Sequence, residues 1–179
     1  EFRRVLFRSP APYAAYLRCG DFSVLSSSPE RFLMVDTHGN AETKPIKGTC
    51  PRGANPQDDA AAAHRLRHDT KTRAENLMIV DLLRNDLSTV SDPSSVQVPV
   101  LMSVESYATV HQLVSTVTAR LKPEISAVHA SAACFPGGSM TGAPKPSTMN
   151  IIEDLEARPR GVYSGALGFF SMDGDRKSV

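Results

Sequence analysis

Two acidic residues and one amine stand where they could do chemistry. Glu30 ends the run Ser28-Pro29-Glu30, and Lys47 lies in Thr43-Lys44-Pro45-Ile46-Lys47-Gly48-Thr49. Between them, Thr37-His38-Gly39-Asn40 reads as a turn joining two extended runs, with Gly and Asn placed as a hairpin needs. A four-residue loop would pair Asp36 with Ala41 and set Glu30 opposite Lys47, with Cβ atoms about 5 Å apart. A three-residue loop would make that pair diagonal. An acid facing an amine is an ordinary ion pair, or an acid and a nucleophile held on a rigid scaffold.

Glu75 opens the apolar run Asn76-Leu77-Met78-Ile79-Val80-Asp81-Leu82-Leu83. Residues 77–80 and 82–83 surround a helix with apolar groups, which predicts deep burial. Glu75 shares a face with Met78, Ile79 and Leu82, so its carboxylate must be paired, protonated or bound to a cation. The structural alternative is an ion pair with Arg73, Arg84 or another basic group; Asp81 has Arg84 three residues on. A third feature is the loop Phe135-Pro136-Gly137-Gly138-Ser139-Met140-Thr141-Gly142-Ala143-Pro144-Lys145, followed by a helix. Glycines, hydroxyls and a helix start suit an anion. Gly137 and Gly142 have the spacing of a P-loop, but Ala143 stands where its lysine belongs, so the nucleotide reading fails. His111 and Gln112 fall on opposite faces of a β-rich run. Tyr163 is either core or a hydroxyl for a ligand. His38, His64, His68 and His129 form no ligand spacing.

These groups need elements to hold them. Strands are predicted over 13–19, 22–26, 31–36, 41–46, 96–104, 110–121 and 161–172. Helices are predicted over 58–68, 69–87, 124–134 and 147–156. Met172-Asp173-Gly174-Asp175 reads as a turn. The 179 residues suit one domain, and 41% hydrophobic with 22% charged residues suits a globular chain that buries a core. A net charge of +1 points to neither nucleic acid nor an acidic partner. Three scattered cysteines, Cys19, Cys50 and Cys134, make no CxxC pair and fit a reducing, cytoplasmic setting. No apolar run approaches the ~18 residues of a membrane span. Residues 1–9 and 175–179 read as non-native tails and stand outside the fold argument. Residues 10–174 then read as one domain that stops at a turn signal with strand edges left open, as a part of something longer would.

Six segments together resemble the chorismate-utilising enzymes: SPERFLMVD, ETKPIKGTCPRG, AENLMIVDLLRNDL, VPVLMSVESYATVHQLVSTV, FPGGSMTGAPK and RGVYSGALGFF. They occur in family order over residues 21–171. The resemblance implies an α+β fold of two packed antiparallel sheets with helices outside. Lys47 is the residue that resembles the branch aminating chorismate at C4, where anthranilate and isochorismate synthases typically carry Ala. It implies that Lys47 attacks C2 while Glu30 protonates the departing C4 hydroxyl, and that ammonia then displaces the lysine. It implies Glu75 as a ligand of Mg²⁺, and Thr49, Ser139, Gly142, Ala143 and Tyr163 as substrate-binding positions. It also implies ammonia from a glutamine amidotransferase, separate or fused, in the route to p-aminobenzoate and folate. The sequence departs from the family at Gln112, where many relatives place His, and at Ser147, where many have Arg. A further Mg²⁺-binding Glu and a substrate-binding Arg would follow Val179. The 179-residue piece is therefore expected to be inactive alone. Anthranilate, isochorismate or salicylate synthesis, and a non-catalytic chorismate-binding module, remain alternatives.

Overall fold

The computed structural model describes residues 11–171 and the backbone of 176–178. The architecture is α+β, with two antiparallel sheets and helices against the larger one. Strands β1 (Tyr13–Cys19) and β2 (Phe22–Ser28) form a two-stranded sheet. The seven-stranded sheet holds β3 (Arg31–Val35), β4 (Asn40–Lys44), β5 (Ile46–Pro51), β6 (Gln97–Ser106), β7 (Val110–Arg120), β8 (Gly168–Phe170) and β9 (Arg176–Ser178). Its centre is β7, as its long Val- and Thr-rich run predicts. One edge of β7 pairs with β6, and the other pairs with β4 and β5 in succession. Residues 176–178, set aside in the sequence reading as tail, lie between β3 and β8.

The helices are α1 (Pro56–His68), α2 (Thr70–Val90), α3 (Ala127–Cys134), the single turn α4 (Gly138–Thr141) and α5 (Lys145–Glu156). Capping explains where the first two begin. Asn55 accepts from the Asp58 N–H at 2.9 Å before Pro56, and Asp69 accepts from the Thr72 N–H at 2.7 Å. Asp69 also separates α1 from α2. The core lies between α2 and the sheet: Ile79, Val80, Leu83, Leu87 and Val90 pack on Leu33, Val35, Ala41, Val117 and Ala119.

Three expectations change. The first is the hairpin register. Asp36 N–H donates to the Asn40 carbonyl at 3.0 Å, and Gly39, at φ +79°, donates back to Asp36. Only three residues fill the loop, so Val35 faces Ala41; a further irregularity then sets Arg31 against Lys44. Glu30 and Lys47 are therefore not a direct cross-strand pair. The second is the run 161–172, which is strand only at Gly168–Phe170. Gly161 and Ser164 adopt φ +62° and +66°, and the Tyr163 and Gly165 N–H groups close consecutive turns onto Arg160 and Val162. The predicted turn at 172–175 lies outside the described residues. The third is the apolar wrap of α2: Leu77 and Met78 are exposed, and only the face of Ile79, Val80, Leu82 and Leu83 is buried.

Candidate functional site

A cleft of about 760 Å³ opens between β2, the β3–β4 hairpin, α2 and the glycine-rich loop. Its floor is Ile79 and Leu83 of α2, and Glu30 sits on its wall. Ser139 and Tyr163 also line it. Strand β2 contributes Val24, Ser26 and Ser28, alternate residues that are half-buried while their neighbours are exposed. The sequence of β2 carries no sign of this, because Phe22 and Leu25 are on its exposed side while two of the three half-buried residues are serines.

Glu30 and Lys47 form no direct ion pair, but the Lys47 charge still reaches the Glu30 carboxyl. The Ile46 backbone N–H and the Lys47 ammonium both favour the charged form of the Glu30 carboxyl. Burial pushes the Glu30 carboxyl above its ordinary value, outweighing the opposite pull of Lys47 and of the Ile46 N–H. A carboxyl held in this way keeps its proton at higher pH, as a general acid requires. The backbone at Lys47 is held by its neighbour. Strand β5 breaks register against β7 between Ile46 and Thr49, and Gly48 sits at φ +85°. A Cβ on Gly48 would lie 2.3 Å from Thr72 Cγ2 and 3.0 Å from Leu66 Cδ1. Only glycine lets the strand press so close to the helices.

Glu75 is placed differently from the expectation. Its side chain is 47% exposed, with Lys71 Nζ at 3.9 Å, rather than buried and obliged to pair. It stands one turn before Ile79 on the cleft-facing side of α2, roughly 6 Å along the axis. Asp81 pairs with Arg84 at 3.3 Å on the outside. Thr49, Gly142, Ala143, Lys47 and Glu75 do not line the cleft itself. Among the described residues, no group of three or more His, Cys, Asp or Glu side chains could hold a metal ion. Glu75 is thus an accessible carboxylate with no second acidic, His or Cys group clustered on it among the described residues.

His111 and Gln112 fall on opposite faces as alternation predicts, facing Cys50 and Thr49 respectively. His111 is buried between Asp59, 2.9 Å from Nε2, and the Ser106 hydroxyl, 2.8 Å from Nδ1. Arg52 holds Asp59 through two contacts of 2.8 and 2.7 Å and keeps its carboxyl well below the usual range. This makes His111 a joint between β5, β6, β7 and α1. Gln112 is buried, and its Oε1 meets no hydrogen-bond donor among the described residues. Asn76, beside Glu75, is fully buried: its Oδ1 accepts from Ser115 Oγ at 2.5 Å, and Ser115 Oγ accepts from the Met102 N–H at 2.9 Å. That relay ties α2 to β7 and β6, and nothing in the local sequence marks it.

The chorismate binding enzyme family matches residues 2–178. The chain belongs to that family. An aminodeoxychorismate synthase of Streptomyces griseus is 63% identical over 93% of this chain and 23% of its own length. An aminodeoxychorismate synthase component 1 of Klebsiella aerogenes is 48% identical over 99% of this chain and 39% of its own. The crystal structure of anthranilate synthase component I from Streptococcus pneumoniae matches with a TM-score of 0.88 and 38% identity, over 99% of this chain and 39% of that one. The chain thus spans less than half the length of the family members it matches. Among the described residues, no helix is long and apolar enough to cross a membrane.

Proposed function

We propose that this chain carries part of the catalytic centre of an enzyme that aminates chorismate at C4 to 4-amino-4-deoxychorismate. The observation that carries the reading is Glu30 on the cleft wall, its carboxyl's proton affinity raised by burial and its charge within reach of Lys47. Its likeness to aminodeoxychorismate synthases supports it. In this reading the neutral Lys47 amine forms a bond to C2, the ring double bonds shift, and the C4–oxygen bond breaks. Glu30 gives its proton to the departing oxygen, which leaves as water. Ammonia then bonds to C4, the C2–nitrogen bond breaks, and the lysine amine is regenerated. A free lysine amine carries a proton at neutral pH, so the attacking amine must first lose it.

Ser139 and the loop backbone seat a substrate carboxylate in this reading, and the Tyr163 hydroxyl borders the cleft. Thr49, Gly142 and Ala143 support the seat from outside the lining. Magnesium, when bound, would neutralise a substrate carboxylate, with Glu75 as one of its oxygen ligands. Ammonia comes from a glutamine amidotransferase, separate or fused, and the setting is cytoplasmic p-aminobenzoate and folate synthesis. Activity belongs to a longer polypeptide, and the 179 residues alone are inactive.

The test is product analysis of that longer polypeptide with chorismate, ammonium and Mg²⁺. Formation of the aminodeoxy product, with its enolpyruvyl group retained, is expected. Release of pyruvate with anthranilate would sink the reading. So would unchanged turnover in Lys47→Ala.

A further inference from the structure

The Phe135–Lys145 motif holds one group that the mechanism does not use, the Lys145 ammonium. It sits at the first position of α5, where a cation opposes the helix dipole. That turn has no acidic residue and no capping side chain to offset it. The charge therefore serves something other than the helix. Lys145 Nζ lies 2.6 Å from Asp86 Oδ2 and donates to the Cys134 carbonyl at 3.0 Å. Both charged side chains are nearly out of solvent, at 12% and 8% exposure. Burial pushes the Asp86 carboxyl above its ordinary value, against the pull of Lys145. It also pushes the Cys134 thiol up to about 12.

The two bonds have a simple consequence. Cys134 is the last residue before the glycine-rich loop, and Lys145 is the first after it. One ammonium joins the two ends of residues 135–144 and pins both to α2. Between these ends Gly138 rests on Leu82, one turn before Asp86. A Cβ there would lie 2.3 Å from Leu82 Cδ2. The loop is thus an Ω-like segment with a charged staple at its base. Its Phe135, Gly137, Ser139 and Met140 line the cleft.

We propose that Lys145 is a positioning residue, whose ammonium staples the 135–144 loop onto Asp86 and so holds the loop's backbone N–H groups and Ser139 where they meet an anionic substrate. The inference deepens the function proposed above and rests on it for the identity of that substrate. Lys145 itself does not reach the ligand. Because the loop binds substrate and transition state alike, loosening it raises KM more than it lowers kcat.

The test uses the complete polypeptide. Lys145→Met alone strands a buried carboxylate and can unfold the protein, so the deciding variant is Asp86→Asn/Lys145→Met, which leaves no unpaired charge. Three quantities are read: thermal midpoint, amide hydrogen exchange over 137–142, and KM and kcat with chorismate. Expected are a midpoint near wild type, exchange in the loop faster by about tenfold or more, and KM raised about tenfold with kcat within about threefold. Wild-type exchange and wild-type KM in the double variant would overturn the proposal and leave the pair a plain stabilising contact. If the wild-type protein makes no product from chorismate, the proposed function fails, while the exchange measurement still decides the staple.

Discussion

The two ends of α2 put similar carboxylates to opposite uses. Glu75 and Asp86 are eleven residues apart, close to three full turns, so both project from one side of the helix. Glu75 is half exposed with a distant lysine, whereas Asp86 is buried and bonded to Lys145 at 2.6 Å. One carboxylate is available for a ligand, and the other is committed to architecture. Between them Ile79 and Leu83 floor the cleft, and Leu82 receives Gly138. The helix works as a ruler roughly 16 Å long from Glu75 to Asp86, anchored at the loop end and open at the other. A surface carboxylate near a lysine thus says little about architecture, whereas a buried pair implies that the surrounding backbone depends on it.

The largest effect that sharpens this contrast is at the chemical centre, near the open end. Glu30→Gln should lower kcat by about 10²–10⁴-fold in the complete enzyme, with chemical denaturation showing an intact fold. A loss below tenfold would remove Glu30 as the acid. At the anchored end, Lys145→Met should cost about 3–5 kcal/mol in urea denaturation, because it leaves Asp86 buried and unpaired. Gly138→Ala should cost about 1–3 kcal/mol by forcing Leu82 aside, measured the same way.

Asp86 also carries a pH signature. Its folded pKa is raised by burial, so the stability it contributes is fully present below its ordinary value of 3.8 and declines as pH rises through the folded value. Asp86→Asn/Lys145→Met should remove that decline from a series of melts across acidic pH, and an unchanged slope would contradict it. The smallest effect is at Glu75. Glu75→Gln should change stability by less than about 0.5 kcal/mol, since its partner is remote and solvated. In the complete enzyme it should nevertheless raise the Mg²⁺ concentration needed for turnover. A large loss of stability in Glu75→Gln would break the comparison.

Much of the fold was legible because its signals are local. The Val- and Thr-rich run at 110–121 becomes the central strand Val110–Arg120, and Gly39 and Asn40 mark the hairpin. Asp69 and the apolar run behind it mark the long helix. The legibility failed where local signals were equivocal. One residue of loop length decided whether Glu30 and Lys47 would face each other directly, and composition does not count loop residues. GVYSGALGFF reads as strand by composition, yet its first half turns back on itself through Gly161 and Ser164 at positive φ. The exposed Leu77 and Met78 show a further limit, because apolar character all round a helix does not say which sides have neighbours.

Of the site, the sequence by itself determined the residue types and their order: the acid at 30, the amine at 47, the carboxylate at 75 and the glycine-rich loop. Side-chain chemistry and family order are properties of the chain, so they can be read without coordinates. Only the tertiary structure decided that Glu30 is buried on the cleft wall within reach of the Lys47 charge, that Asn76 seats the helix through Ser115, and that Lys145 closes its loop on Asp86. Those pairs lie 17, 39 and 59 residues apart. Contacts between such distant residues arise only when elements pack, and burial then sets the charge state of the groups they enclose.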